Sequence, residues 1–116
     1  MNHYKDYLLL RNPDLHILEK DYGFATYKYM DLGVGKAVYI EDIYVEEKYR
    51  GLYKATELSE EIQNIAKSDG CTYLLGTVNV SAPNPNDSIK VLLAHGMSVL
   101  KAENNAIWFF KPIDVV

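Results

Sequence analysis

This sequence has little cysteine, no net positive charge and no long apolar run. The 116 residues include one cysteine, Cys71, which excludes an internal disulfide. Without a thiol partner, Cys71 is expected to be a small buried apolar residue rather than a nucleophile. The 16 acidic residues outnumber the 12 basic ones, and the formal net charge is −4. Nucleic-acid binders concentrate Lys and Arg for phosphate contacts, so we expect no nucleic-acid partner and favour a cationic substrate.

Signals for targeting, membranes and metals are missing as well. Residues 1–10 carry no apolar stretch long enough for a signal peptide or a membrane span, so we expect a cytoplasmic protein without membrane attachment. The histidines His3, His16 and His95 are scattered, and no spacing of His, Cys, Asp and Glu predicts a metal site. Neither the three-glycine dinucleotide fingerprint nor the Lys-Ser/Thr pair of a phosphate-binding loop is present.

What is present is the composition of a globular protein. Hydrophobic residues make up 48% of the chain and charged residues 24%, which distinguishes it from a disordered segment. A chain of this length buries roughly two-thirds of its unfolded surface and needs only one core. We therefore expect a single domain over residues 1–116.

The first half of the chain predicts a helix and an antiparallel meander. Residues 4–11 fit a helix of about two turns that ends before Pro13. Short alternating segments follow at residues 15–19, 23–30 and 37–45, joined by tight turns. Three consecutive short strands with such connections form an antiparallel meander.

A longer helix and a parallel strand are predicted after residue 45. Gly70 is placed to end this helix, and the apolar segment 72–80 is expected to lie parallel to the preceding strand, as in right-handed crossovers. Apolar residues recur at helical spacing, and they place the following side chains on the inner face of the helix: Leu58, Ile62, Ile65 and Ala66.

A second helix and a hairpin complete the pattern. A loop over residues 81–86 leads into a helix that Asn86 or Asp87 caps and Gly96 stops, and its inner face is predicted to consist of Ile89, Leu92 and Leu93. Segments 97–102 and 106–112 form a hairpin. The fold class is therefore α/β with a mixed (α+β) sheet: an antiparallel meander, one parallel crossover and a C-terminal hairpin.

Residues 49–55 form the first group with functional potential. They place Arg50 and Gly51 between a strand and the start of a helix. The first N–H groups of a helix lack intrahelical partners and its dipole favours negative charge, so a pyrophosphate would fit there. Alternatively, Arg-Gly before a helix forms an ordinary turn.

Glu41 and Asp42 form the second group, within an otherwise apolar strand. Side chains alternate across a strand, so we expect one carboxylate on each face and at least one of them among apolar neighbours, unless a groove lies beside it. A desolvated carboxylate can serve as a general base. Alternatively, one of the two caps a loop or pairs with Lys or Arg.

Together these residues resemble the central motif of the GCN5-related N-acetyltransferases, the GNAT family. The resemblance is carried by residues 39–45, the Tyr49-Arg50-Gly51 turn, Ala55 and Leu58. It extends from about Leu15 to Ile113, and its nearest likeness is to the polyamine (spermidine/spermine) acetyltransferases. It implies an acyl-CoA N-acyltransferase-like fold, acetyl-CoA as co-substrate, and a primary amine on a small molecule or a protein as acceptor.

The resemblance also implies roles for particular residues. Glu41 would act as general base and Asp42 as a second acid that contacts the acceptor, and the free amine would attack the thioester in a ternary complex without a covalent enzyme intermediate. The donor acetyl-CoA would be bound by Ile43, Tyr44, Val45, Arg50, Gly51, Leu52, Tyr53, Lys54 and Ala55.

The chain departs from the family pattern in three ways. Tyr53 stands where the family usually has glycine, and Leu92 stands where a tyrosine protonates the leaving thiolate. Few residues precede Leu15, so the resemblance is to an N-terminally truncated member that lacks most of the first strand and lid helices. Two functions follow: an active N-acetyltransferase, or a catalytically inactive GNAT-fold module that binds another protein. A homodimer is compatible with both, because a shortened fold leaves apolar surface to cover.

Overall fold

The computed structural model describes residues 3–81 and 85–113. The order of elements confirms the predicted sequence of helix, three strands, helix, strand, helix and hairpin. In chain order the elements are α1 (His3–Arg11), β1 (His16–Lys20), β2 (Gly23–Asp31), β3 (Lys36–Val45), a 3-10 helix (Glu47–Tyr49), α2 (Lys54–Ser68), β4 (Tyr73–Asn79), α3 (Pro85–Ala94), β5 (Ser98–Glu103) and β6 (Ala106–Pro112).

The strands form one mixed sheet in the order β1-β2-β3-β4-β6-β5. The pairs β1–β2 and β2–β3 are antiparallel, which confirms the predicted meander. The pair β3–β4 is parallel and is connected through α2, which confirms the crossover. Strands β5 and β6 form the antiparallel hairpin, and β6 also pairs with β4.

The core lies on one side of this sheet, which we call the inner face. It bears Val38, Leu74 and Phe109, and α2 packs on it through Leu58 and Ile62. All five side chains are at most 4% exposed. Burial of apolar area is the main source of stability for such a layer, because each fully buried Leu, Ile or Phe side chain contributes about 1.5–3 kcal/mol.

The opposite side of the sheet, the outer face, bears Tyr39, Thr77 and Trp108. On this side α1 lies beside β1 and β2, where Tyr4 and Leu8 border a small cavity with Ile17. No helix in the described ranges is long and apolar enough to cross a bilayer.

The tight turns explain why the strands end where they do. Asn104 and Asn105 join β5 to β6 with φ of 52° and 63°. Two successive positive φ values define a type I′ hairpin turn, which asparagine tolerates better than most residues. Gly70, with φ of 89°, follows α2 as predicted.

Two details of the second half differ from the predictions. Helix α3 begins at Pro85, inside the predicted loop and before the expected cap at Asn86 or Asp87. Proline fits the first turn of a helix because its fixed φ is helical and the N–H that it lacks would have no partner there. Residues 82–84 of that loop lie outside the described residues. Leu93 is 51% exposed, so its predicted place on the inner face is wrong.

Cys71 is buried, as predicted from its isolation in the sequence. Its side chain is 1% exposed and belongs to the core cluster. Burial raises the pKa of its thiol, which disfavours the thiolate that a nucleophile would need.

Candidate functional site

A cleft opens where β3 and β4 diverge. Their parallel ladder contains only the pairs Ala37–Tyr73, Val38–Leu74 and Tyr39–Leu75, although both strands continue beyond them. The space between the diverging ends is a cavity of about 640 Å³. It is lined by Ile40, Glu41, Asp42, Ile43, Tyr44, Val45, Arg50, Ala55, Ser59, Leu74, Leu75, Gly76, Thr77, Val78, Leu92 and Met97.

The two carboxylates on β3 both border this cleft, and a β-bulge explains how. Thr26 of β2 pairs with Asp42, and the next residue, Tyr27, pairs with Ile40, so Glu41 is the extra residue on β3. A bulge breaks the side-chain alternation of a strand and re-aims its side chains. Both residues are exposed, so neither carboxylate is buried among apolar neighbours, and the cleft is the groove that the sequence left open as the alternative.

Glu41 has a cationic neighbour on the adjacent strand. Its Oε1 lies 3.6 Å from the Lys28 Nζ, and 41% of its side chain is exposed. Of the alternatives left open by the sequence, pairing with a lysine is therefore the one observed. At this degree of exposure the ion pair is screened by water and contributes at most about 1 kcal/mol, so it leaves Glu41 available to another cation.

The basic turn between β3 and α2 lies at the mouth of the cleft. After the 3-10 helix, Gly51 and Tyr53 take positive φ values of 81° and 60°, and α2 begins at Lys54. The N–H groups in the first turn of α2 have no partners within the helix, and they lie at the end of the helix that borders the cleft. The helix dipole adds a partial positive charge at the same place.

Arg50 is anchored to the strand that precedes the turn. Its Nε donates a hydrogen bond to the Val45 carbonyl over 2.9 Å, and the guanidinium carbon is 5.9 Å from the centre of the Tyr44 ring. A guanidinium has five N–H donors and Arg50 is exposed, so donors remain that can bind an anion.

Four of the predicted donor residues lie outside the wall of the cleft, three of them in the turn and Lys54 at the first position of α2. Tyr53 is 80% exposed and Leu52 is 56% exposed. The Lys54 ammonium lies 5.0 Å from the centre of the Tyr22 ring and 3.4 Å from Glu57 Oε1. The structure thus brings together Glu41, Asp42, Ile43, Tyr44, Val45, Arg50 and Ala55 in the cleft, and it places Gly51, Leu52, Tyr53 and Lys54 beside it.

Several residues of the cleft were missed by sequence reasoning. The β4 residues Gly76 and Thr77 form the wall opposite β3, and Ser59 lines the cleft from α2. Ser59 Oγ accepts a hydrogen bond from Gln63 Nε2 over 3.2 Å. The signal that points to β4 is the predicted parallel crossover, since neighbouring parallel strands present their carboxyl ends to the same site. Leu92 lines the cleft as well, at the position where the family pattern has a tyrosine.

The sequence of the chain resembles one family of known proteins. The family model described as the acetyltransferase (GNAT) family matches residues 2–97. Among curated proteins, no significant match to the chain was found.

Solved structures share the fold at low sequence identity. A GNAT-family protein from Desulfovibrio desulfuricans aligns with a TM-score of 0.79 and 14% identity, covering 97% of this chain and 78% of that one. The PaiA N-acetyltransferase from Thermoplasma acidophilum, solved with coenzyme A, aligns with a TM-score of 0.72 and 16% identity, covering 94% of this chain and 67% of that one. NAA60 from Arabidopsis thaliana, solved with a bisubstrate analogue, aligns with a TM-score of 0.69 and 16% identity, covering 98% of this chain and 84% of that one. At these identities the likeness demonstrates a shared fold, while function depends on the residues of the site.

Proposed function

The chain belongs to the acetyltransferase (GNAT) family, and on that premise we propose that it transfers an acetyl group from acetyl-CoA to a primary amine, with Glu41 as general base. The observation that carries the proposal is the cleft between β3 and β4, which combines two exposed carboxylates with the N-terminus of α2. The carboxylates suit a cationic acceptor, and the helix N-terminus suits an anionic donor.

The donor half of the cleft offers backbone groups and positive charge. Beyond Tyr39 the ladder to β4 has ended, so the backbone groups of residues 43–45 that face β4 and have no partner there would meet the pantetheine arm and the acetyl carbonyl. The pyrophosphate would lie against the turn from Gly51 to Ala55, where α2 begins. Arg50 would supply its remaining guanidinium donors to the same phosphates.

The acceptor half of the cleft provides proton removal and orientation. Glu41 takes a proton from the ammonium group, and Asp42 holds the substrate cation beside it. The neutral nitrogen attacks the acetyl carbon, the new C–N bond forms, and the C–S bond breaks to release the CoA thiolate, while the nitrogen loses its second proton to water in the open cleft. Because Leu92 has no proton to give, the thiolate takes its proton from water in the open cleft.

The acceptor class follows from charge and resemblance. Glu41 and Asp42 favour cations, and the likeness to polyamine acetyltransferases favours a small polyamine over a protein amine.

We further propose that residues 1–116 act as one domain in the cytoplasm.

The first experiment tests the base. Acetyl transfer is measured by thiol release with a panel of amines for the wild type, Glu41→Gln and the matched control Glu60→Gln on α2. We expect Glu41→Gln to lower kcat by about 10²- to 10⁴-fold, the usual contribution of a general base, with little change in acetyl-CoA affinity. Equal losses of kcat and donor affinity would contradict the assignment, since they would indicate a disturbed fold.

The second experiment tests the donor site by calorimetry with acetyl-CoA. A Cβ added at Gly51 meets no atom within 4 Å, so Gly51→Glu and Gly51→Gln introduce the same bulk and the same strain at positive φ. We expect micromolar binding in the wild type, modest weakening in Gly51→Gln and loss of binding in Gly51→Glu, because only the carboxylate repels the pyrophosphate. If the wild type did not bind acetyl-CoA at millimolar concentration, the proposed function would be wrong.

A second candidate is a GNAT-fold module that acts by binding a protein. It is favoured by the exposed apolar side chains of Leu52 and Tyr53 on the turn and Tyr44 at the cleft, which are 56%, 80% and 46% exposed. It predicts a macromolecular partner, including a second copy of the chain, and no acetyl transfer. Leu52→Ser with Tyr53→Ser would abolish that association while leaving the fold intact.

A further inference from the structure

One lysine side chain reaches the proposed general base from the neighbouring strand. Lys28 lies on β2 opposite Tyr39 of β3, the residue at which the ladder to β4 ends and the cleft begins. Its Nζ lies 3.6 Å from Oε1 of Glu41, which lines the cleft. The protein thus holds a primary amine of its own beside the carboxylate to which we assign proton removal.

The Lys28 amine is separated from the cleft by a single strand. Neighbouring strands lie about 4.8 Å apart, and the contact with Glu41 shows that the flexible four-carbon stem of Lys28 carries the ammonium to the edge of the cleft. The Lys28 side chain is 32% exposed and lies outside the core cluster, so the stem can rotate without disturbing the core.

The ion pair with Glu41 does not immobilise this amine. A pair that is screened by water is weak, so the ammonium exchanges readily between Glu41 and other positions at the edge of the cleft. Lys54 also lies near the cleft, but it stands at the first position of α2, where we place the pyrophosphate rather than the acetyl group. Lys28 is therefore the lysine whose position suits attack on the acetyl carbon.

We propose that the chain acetylates its own Lys28 in cis, with acetyl-CoA as the donor, when no other amine occupies the cleft. This inference rests on the proposed function, because it uses the same donor and the same base. Glu41 takes one proton from the Lys28 ammonium, and the neutral Nζ attacks the acetyl carbon. The C–N bond forms and the C–S bond breaks to release the CoA thiolate. The second proton of the nitrogen passes to water, and the thiolate takes a proton from water, so the net products are the amide, the CoA thiol and one proton from Glu41.

Acetylation would change the charge of the acceptor half of the cleft. An acetylated lysine carries no charge and forms no ion pair. Glu41 would lose its cationic neighbour on β2, and the region around Glu41 and Asp42 would become more negative. The modified chain would therefore attract a cationic acceptor more strongly than the unmodified chain.

Lys20 provides a matched internal control for acetylation that the protein does not catalyse. Its side chain is 37% exposed, against 32% for Lys28, and its Nζ lies 2.9 Å from Oε2 of Glu61. The two lysines have similar exposure and a similar carboxylate partner, but only the partner of Lys28 lines the cleft. Acetyl-CoA that reacts without the help of the cleft would modify both at similar rates.

The experiment incubates the full chain with acetyl-CoA and no added amine, and peptide mapping by mass spectrometry follows the acetylation of each lysine. We expect Lys28 to react about 10²-fold faster than Lys20 or more, because only Lys28 is positioned beside both donor and base. Glu41→Gln should slow Lys28 on the order of 10²-fold and leave the rate at Lys20 unchanged. A reaction in cis should have a rate constant that does not depend on protein concentration.

Lys28→Arg separates the acceptor nitrogen from its charge. Arginine keeps the positive charge beside Glu41 but has a guanidinium that stays protonated, so it offers no free amine. We expect no acetyl group at residue 28 in this variant and an unchanged rate at Lys20. Circular dichroism establishes that each variant is folded, and the comparison of Lys28 with Lys20 within the wild type needs no variant.

Four results would overturn self-acetylation: no acetyl group on Lys28, equal rates at Lys28 and Lys20, an undiminished rate at Lys28 in a folded Glu41→Gln, or a rate that rises in proportion to protein concentration. Adding the panel of amines distinguishes this failure from failure of the proposed function. Transfer to an added amine while Lys28 stays unmodified would contradict self-acetylation and support the proposed function. Glu41-dependent acetylation of Lys28 without transfer to any added amine would do the reverse.

Discussion

At the scale of single residues, Tyr53 adopts a conformation that its side chain disfavours. Its φ of 60° and ψ of 22° are left-handed, and it immediately precedes α2. A residue with a Cβ has a cost of about 1–2 kcal/mol in this region, and asparagine is among the residues that tolerate it best. The side chain is 80% exposed, so packing offsets little of that cost.

Substitution of Tyr53 should therefore change stability in a direction set by the backbone. We expect Tyr53→Asn to raise the free energy of unfolding by about 0.5 kcal/mol, and Tyr53→Val to lower it by about 1 kcal/mol, because β-branched residues fit the left-handed region worst. Urea denaturation measures both. Equal stabilities for the asparagine and valine variants would indicate that residue 53 is not held at positive φ.

Tyr29 is a second residue whose environment has a measurable consequence. Its hydroxyl donates a hydrogen bond to the Asp69 carboxylate at the end of α2, and the Lys36 ammonium lies 4.4 Å from the centre of its ring. Burial, followed by the hydrogen bond and the negative charge of Asp69, raises the pKa of the Tyr29 phenol above its ordinary value of 10.0.

This raised pKa makes stability depend on alkaline pH. The unfolded chain releases the Tyr29 proton at lower pH than the folded chain, so the stabilisation is fully present below pH 10.0 and is lost as pH rises above it. We expect the free energy of unfolding to fall more steeply between about pH 10 and 12 in the wild type than in Tyr29→Phe. Tyr7→Phe changes an exposed tyrosine and is the control, which should keep the slope of the wild type. If Tyr7→Phe had the same shallow slope as Tyr29→Phe, the assignment to Tyr29 would be wrong.

At the scale of elements, the end of β3 that borders the cleft depends on a close approach to β2. A Cβ added at Gly23 would lie 2.0 Å from the Tyr44 carbonyl oxygen and 2.9 Å from the Val45 Cα. Both neighbours are backbone atoms, so no rotation of a side chain can relieve the overlap. Only glycine lets the two strands pair at this position.

Gly23→Ala should therefore separate β2 from the donor end of β3. We expect a loss of about 2 kcal/mol or more in the free energy of unfolding and a larger loss of acetyl-CoA affinity than the stability alone would cause. Gly70→Ala is the control, because its added Cβ would meet no atom within 4 Å and only its positive φ of 89° would lower stability, away from the cleft. Wild-type affinity in Gly23→Ala would argue against a role of residues 43–45 in the donor site.

The helices and strands were predictable from the sequence, whereas the pairing between distant strands was not. Periodicity and turn residues were sufficient for the order of helices and strands, because those signals are local. The bulge at Glu41 arises from pairing between β2 and β3, which no single segment encodes, and it interrupts the regular alternation of side chains along β3. The predicted site residues all come from one contiguous segment, from β3 to the start of α2, and seven of them line the cleft. Thr77 and Gly76 were missed because parallel pairing brings them to the cleft from a distant segment.

At the scale of the whole molecule, one core connects the meander, the crossover and the hairpin. Phe109 of β6, Leu58 of α2 and Val38 of β3 are completely buried in the same cluster, together with Ala25 of β2 and Leu74 of β4. Each part of the sheet thus buries apolar area against residues supplied by another part, so no part retains its own core if α2 leaves. This arrangement supports the proposal of a single domain.

A single core predicts a single unfolding transition. Far-UV circular dichroism follows the helices, and Trp108 fluorescence follows β6, near the end of the chain. For the wild type we expect both signals to give the same midpoint in urea. Leu58→Ala removes a completely buried side chain and should shift both midpoints together, lowering the free energy of unfolding by about 2–5 kcal/mol. If the Trp108 transition stayed in place while the helical signal moved, the hairpin would be unfolding independently, and the single-domain proposal would be wrong.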